Sequence, residues 1–194
     1  AFRKLYFYQR WRLMAQQFDD LDITLVGPKY SEYFGTGKKD KIYAEPIPEE
    51  KRFRVYHIDM QKYNFKRGGW VSWELHKIVM KIKPDVIYLI GYEIANVTLQ
   101  MGLLRKIFLP KTKIIGFTMK GVDHPLHSLH YRTRIKLTNK IFDAMTCHYP
   151  RGREIILSQR RYKKPVYMQT QVGVNKDYFY KDNELRNKIR EKYR

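Results

Sequence analysis

The stretch WVSWELHKIVMKIKPDVIYLIG, residues 70–91, decides the fold. Val71, Leu75, Ile78, Val79 and Ile82 recur at the spacing of one helix face. Pro84 has no backbone donor and cannot continue that helix. Val86 to Ile90 then run apolar without alternation, as a strand does when a parallel sheet is covered on both sides. Helix, short turn and buried strand together make the repeating unit of an α/β fold.

Downstream the unit recurs: a helix over 94–108 stopped by Pro110, a strand KIIGFTM, a helix over 125–141, a strand AMTCHY, a helix over 151–158 and a strand PVYMQT. Upstream, LDITLVG (21–27) and FRVYHI (53–58) are β-branched and aromatic runs that read as strands. The expected fold is therefore α/β, a Rossmann-like doubly wound parallel sheet with helices on both faces. Its crossovers are right-handed, and ligands lie at the carboxyl ends of the strands. Residues 2–18 read as a helix with Phe7, Trp11, Met14 and Phe18 in a stripe edged by Arg3, Lys4, Arg10 and Arg12. Core packing of that stripe is favoured over a lipid-facing role, because Phe and Trp at helical spacing are mostly buried. A doubly wound domain begins with a strand ahead of its first helix, so the pattern predicts one upstream of Ala1.

Composition narrows the function classes. With 194 residues and 43% hydrophobic content the chain is long enough to form one domain with a core. No run of 18 apolar residues is present, so nothing in the sequence spans a bilayer as a helix. A lone Cys147 and the lack of a signal-peptide pattern point to a reducing, cytoplasmic setting, with peripheral membrane association open. The excess of 39 Lys and Arg over 19 Asp and Glu gives +20, a field that draws polyanions. Between Glu93 and Asp143 the single acid is Asp123, against a set of bases that includes Arg105, Lys106, Arg132, Arg134 and Lys136. These five are the expected basic surface, for anionic lipid, phosphate-bearing molecules or nucleic acid.

Several fragments carry no chemistry. GTGKK at 35–39 lacks the glycine spacing of a phosphate-binding loop, and NVT at 96–98 falls in a helix. His127 and His130 have no carboxylate or thiol to complete a site, so no metal is expected. There is no C-x-x-C, H-E-x-x-H or G-x-S-x-G motif for zinc or hydrolase chemistry.

The ordered succession KPDVIYLIG, KIIGFTMKGVD, IFDAMTCHYPRGREIIL and PVYMQTQVGVNKDYFY resembles the amino-terminal domain of the retaining glycosyltransferases of family 4, which have the GT-B fold. The resemblance covers roughly residues 20–194. It is strongest where Gly173, Val174, Asn175 and Phe179 stand at the family's Gly, Val, Asp and Phe. It implies a Rossmann-like domain over 1–172 and an interdomain linker with the start of the next segment over 173–194. It also implies a donor-binding domain elsewhere in the same gene. By that analogy this domain binds a sugar acceptor and no cofactor, the nucleotide sugar belongs to the second domain, and this portion alone does not turn over.

In the family a histidine often stands near the reacting sugar at the position of Lys120, so Lys120 and His124 are the candidate catalytic residues. Glu93, Gly121 and Asp123, also in turns at strand ends, are candidates for acceptor binding. The competing class is a basic, non-catalytic Rossmann-like module for nucleic acid or an anionic surface, with its 16 Tyr available for base stacking. The lack of an RNP1 or KH-type signature weighs against RNA. A structural subunit without catalysis is a third option.

Overall fold

The computed structural model describes residues 5–33, 40–43, 47, 50–59, 71–90, 95–118, 129–169 and 182–193. In chain order these form α1 (Leu5–Gln17), β1 (Ile23–Pro28), β2 (Tyr30–Tyr33), β3 (Asp40–Tyr43), β4 (Phe53–Ile58), α2 (Trp73–Ile82) and β5 (Val86–Ile90). There follow α3 (Asn96–Phe108), β6 (Lys113–Thr118), α4 (Leu129–Ile141), β7 (Ala144–Cys147), α5 (Pro150–Ser158), β8 (Val166–Met168) and α6 (Asn183–Lys192).

The strands β5, β6, β7 and β8 lie side by side in that order, all parallel, each joined to the next by one helix. β1 pairs in parallel with β4, in register from Ile23 with Phe53 to Pro28 with Ile58. The α/β reading from sequence holds, and the decisive stretch folds as expected. α2 ends at Ile82, Lys83 takes the left-handed conformation (φ 49°) and returns its N–H to the Val79 carbonyl, and Pro84 follows. One element differs from the expected all-parallel plan: β2 and β3 form an antiparallel pair, in register from Tyr30 with Tyr43 to Tyr33 with Asp40.

Side-chain alternation shows two covered faces. On one, Val26, Ile58, Ile87, Leu89, Ile114, Met145 and Cys147 meet Leu75 and Val79 of α2, Met101 and Leu104 of α3, and Ile156 of α5. On the other, Ile23, Leu25, Phe53 and Val55 meet Tyr8, Trp11 and Ala15 of α1. Trp11 reaches on to Tyr88 of β5, with ring centroids 5.7 Å apart. Helices therefore lie on both faces. The buried stripe of α1 is Tyr8, Trp11 and Ala15, while Phe18 is 52% exposed, a rotation of the expected stripe. The small Ala15 lets the helix approach β1 and β4 more closely than a large side chain would. Phe7 of the expected stripe lies outside the residues whose side chains are described.

Two glycines mark close approaches. A Cβ on Gly116 of β6 would stand 2.8 Å from the ring of Phe142, and one on Gly102 of α3 would stand 2.5 Å from Ile141. A glycine weakens a strand by itself, and here the missing side chain is the space that Phe142 occupies.

Candidate functional site

In a parallel sheet with short crossovers, every strand-to-helix turn lies at the carboxyl edge, and so do the amino ends of the following helices. Those helix ends carry partial positive charge and unsatisfied N–H groups. α2, α3 and α5 each begin on this edge. The first turns of α3 and α5 hold no acid, and α5 starts with Pro150 after Tyr149 as its N-cap, where a missing N–H costs nothing.

Two clusters stand on the edge among the described residues. At the ends of β1 and β4, Lys29 Nζ donates to Asp59 Oδ2 at 2.6 Å and lies 4.0 Å from Glu74, whose Oε2 accepts from the Asp59 N–H at 2.8 Å. The hydrogen bond to Asp59, with the nearby carboxylates, holds the Lys29 ammonium above its usual range, against a smaller opposing effect of desolvation. At the ends of β6, β7 and β8 stand Thr118, His148, Tyr149 and Gln169. His148 packs edge-on against Phe117 at 4.9 Å and lies 5.5 Å from Tyr149. Tyr88 Oη hydrogen-bonds with Thr146 Oγ1 at 2.8 Å and donates to Gln169 Oε1 at 3.3 Å, linking β5, β7 and the residue after β8. The edge thus offers a lysine shared by two carboxylates, an imidazole on an aromatic shelf and neutral hydroxyl and amide groups.

Lys120, Gly121, Asp123 and His124, expected after β6, and Glu93, expected after β5, lie outside the described residues, as do GTGKK at 35–39 and the Gly173 turn. The five basic candidates are described but play unequal parts. Arg105 Nη1 donates to Asp143 Oδ2 at 2.5 Å, and that oxygen also accepts from the Ile114 N–H at 2.8 Å. Arg105 thus holds α3 against the start of β6 and β7, with 19% of its side chain exposed. Arg134 donates to Asn96 Oδ1, joining α4 to α3. Lys106, Arg132 and Lys136 are exposed. Arg132 and Lys136 continue to the exposed Lys140 as a single stripe on α4.

Sequence reasoning missed the Lys29–Asp59–Glu74 cluster and His148. The available signal was position: Pro28-Lys29 and Asp59 directly follow strand runs, and His148-Tyr149 end the run AMTCHY. Cys147 is buried, and burial pushes its thiol up, so it packs as a neutral group. Among the described residues no group of three His, Cys, Asp or Glu is placed to hold a metal ion, and no helix is long and apolar enough to cross a membrane.

Comparison with known proteins gives no match: no family model fits the chain, and neither curated proteins nor solved structures show significant similarity to it.

Proposed function

We propose that this chain is the acceptor-side domain of a retaining glycosyltransferase with the GT-B arrangement, in which a second domain of the same gene product holds a nucleotide-sugar donor. The supporting observation is the uninterrupted parallel order β5, β6, β7, β8, with one helix per crossover, followed in the sequence by Gly173-Val174-Asn175. On this reading Glu93, which follows β5 in the sequence, and Lys120 to His124, which follow β6, belong to the same strand-end edge as His148 and Gln169. On this reading the edge orients an acceptor hydroxyl, with Glu93, Gly121 and Asp123 as its partners. Lys120 and His124 face the charge that develops as the donor's phosphate leaves. Both effects are positional and electrostatic, and require the two domains to close on one another.

The exposed α4 stripe of Arg132, Lys136 and Lys140 favours a companion reading, in which the domain works at an anionic surface. Each such cation near acidic lipid contributes on the order of 1 kcal/mol. The alternative is a basic binding module without catalysis.

The test is transfer by the full gene product that contains this chain, assayed with a panel of nucleotide sugars. Donor-dependent transfer with retained anomeric configuration is expected, and Lys120→Ala lowers kcat on the order of 100-fold while leaving Tm unchanged. A full product that neither binds nor consumes a nucleotide sugar overturns the reading. Vesicle and oligonucleotide binding in graded salt then separate the remaining classes.

A further inference from the structure

We infer that the outer faces of α2 and α3 form a membrane-docking surface, in which Trp73, Leu103, Ile107 and Phe108 enter the interfacial layer of an anionic bilayer and a rim of lysines meets its phosphates.

Four large apolar side chains stand open on these two helices. Trp73 is 69% exposed, Leu103 60%, Ile107 58% and Phe108 47%. Scattered singly, such residues are ordinary on a surface, but gathered on adjacent elements inside a polar rim they mark an interaction site. Leu103 and Ile107, four residues apart, form one row of α3 opposite the buried Thr98 and Met101. On α2, Trp73 and Lys77 lie opposite the buried Leu75 and Val79 in the same way.

Two contacts set the helices side by side. Gln100 holds Ser72 by both peptide groups: its Oε1 accepts from the Ser72 N–H at 3.3 Å and its Nε2 donates to the Ser72 carbonyl at 2.7 Å. Further along, the rings of His76 and Phe108 meet edge to face, with centroids 5.4 Å apart. Positions 72 and 76 therefore advance together with 100 and 108. The helices run parallel, and their outward rows belong to one surface.

The shape and charge of that surface select its occupant. His76 and Phe108 fill the seam between the helices, so the face is broad and offers no groove for a partner helix. Lys77, Lys81 and Lys106 are exposed around the apolar group, α3 carries no acid, and Glu74 of α2 is turned to Lys29 and the Asp59 N–H. A second copy of the same face would set lysine against lysine. α3 also joins α4, where Arg134 donates to Asn96, so the exposed row of Arg132, Lys136 and Lys140 continues the positive surface beyond the apolar group. Trp, Phe and Leu beside long lysine side chains are the residues of an interfacial element: the apolar groups enter the boundary of the acyl chains while the ammonium groups reach out to the phosphates.

The inference rests on the anionic-surface reading and is independent of the transferase reading. Charge alone gives a contact that salt removes, whereas inserted apolar side chains give one that partly survives it.

The experiment measures binding of the protein, in graded salt, to vesicles of phosphatidylcholine mixed with phosphatidylglycerol. Leu103→Ala combined with Ile107→Ala should weaken binding on the order of 10-fold and abolish its salt-resistant part. Its Tm should stay unchanged, because both positions are exposed and alanine favours helix. Brominated acyl chains should quench a component of the emission that Trp73→Phe removes. Arg132→Ala, Lys136→Ala and Lys140→Ala together should weaken binding in low salt only. Full-strength binding by the Leu103 and Ile107 variant, with a loss in the α4 variant, overturns the apolar docking face and leaves the anionic-surface reading standing. Failure to bind any vesicle overturns both. Saturable binding of an acidic helical peptide to this face, without vesicle binding, assigns it to a protein partner and overturns the proposal.

Discussion

The sheet from β5 to β8 and the β1–β4 pair use the same strand chemistry but are sealed differently. In the first, Ile114, Phe117, Phe142, Met145 and Cys147 are all 0% exposed. In the second the most buried strand side chains described are Phe53 at 1% and Ile58 at 2%, and the cover on one face is a single helix, α1. Sequential βα units, each covering its neighbour, close the core of the larger sheet from within. The pair depends on α1, whose most buried contact residues are Tyr8 and the small Ala15. Stability should therefore be concentrated in residues 86–168.

The largest test of that contrast is truncation of its most enclosed rings. Phe142→Ala should cost about 4 kcal/mol in denaturant unfolding, because Gly116, Met145 and the helices around it leave no way to fill the cavity. Phe53→Ala should cost about 2 kcal/mol, since α1 can settle toward the sheet. Equal losses would break the comparison.

Overpacking sharpens it next. Gly116→Ala should destabilise by about 2 kcal/mol, because the new methyl meets the fully buried Phe142 ring, which has no open space to rotate into. A thermal melt measures the loss, and Gly116→Ala combined with Phe142→Leu should recover part of it.

A pH effect of comparable size belongs to the same region. Burial, reinforced by the Asp143 charge, pushes the Tyr162 phenol up from 10.0 to about 12. The folded chain keeps that proton in a range where the unfolded chain has lost it. The contribution is complete below pH 10 and is lost as pH rises through about 12, for a total of about 3 kcal/mol. Denaturant titrations between pH 9 and 12 should show this decline superimposed on the background of exposed groups, and Tyr162→Phe should flatten it. The smallest effect is expected in the other region. Asp59→Asn breaks an exposed pair with Lys29 and should leave Tm unchanged within error.

How much of this was legible in the sequence differs by element for physical reasons. β4, β5 and the buried face of α2 were readable because continuous apolar runs and helical spacing act over a few residues, and Pro84 marks the boundary. The β2–β3 pair was not. YSEY and DKIY carry charge within short runs, and antiparallel pairing is set by partner backbone rather than by any apolar pattern. The α1 stripe was read from the largest side chains, whereas contact with the sheet selected Tyr8 and Ala15, one helical step away. Charge counting grouped Arg105 with Lys106, yet only placement reveals that Arg105 meets Asp143, a residue far along the chain. The strand ends at Lys29 and His148 could be located from sequence, but their neighbours could not.

The carboxyl end of α4 is finished by residues that come much later. The Phe142 carbonyl accepts from Tyr162 Oη at 3.2 Å and Lys164 Nζ at 2.5 Å, and Lys164 also donates to the Lys140 carbonyl at 3.2 Å. Asn139 Nδ2 donates to the Arg160 carbonyl at 2.7 Å, while Arg160 Nη2 donates to Thr138 Oγ1 at 3.2 Å. During synthesis at roughly 5–20 residues per second, this helix end must therefore wait about 1–4 s for its partners to be made. Until then its last carbonyls can only bind water. The segment from α4 to β8 therefore closes only as one length of nascent chain, and a ribosome paused before Tyr162 would hold this helix end open.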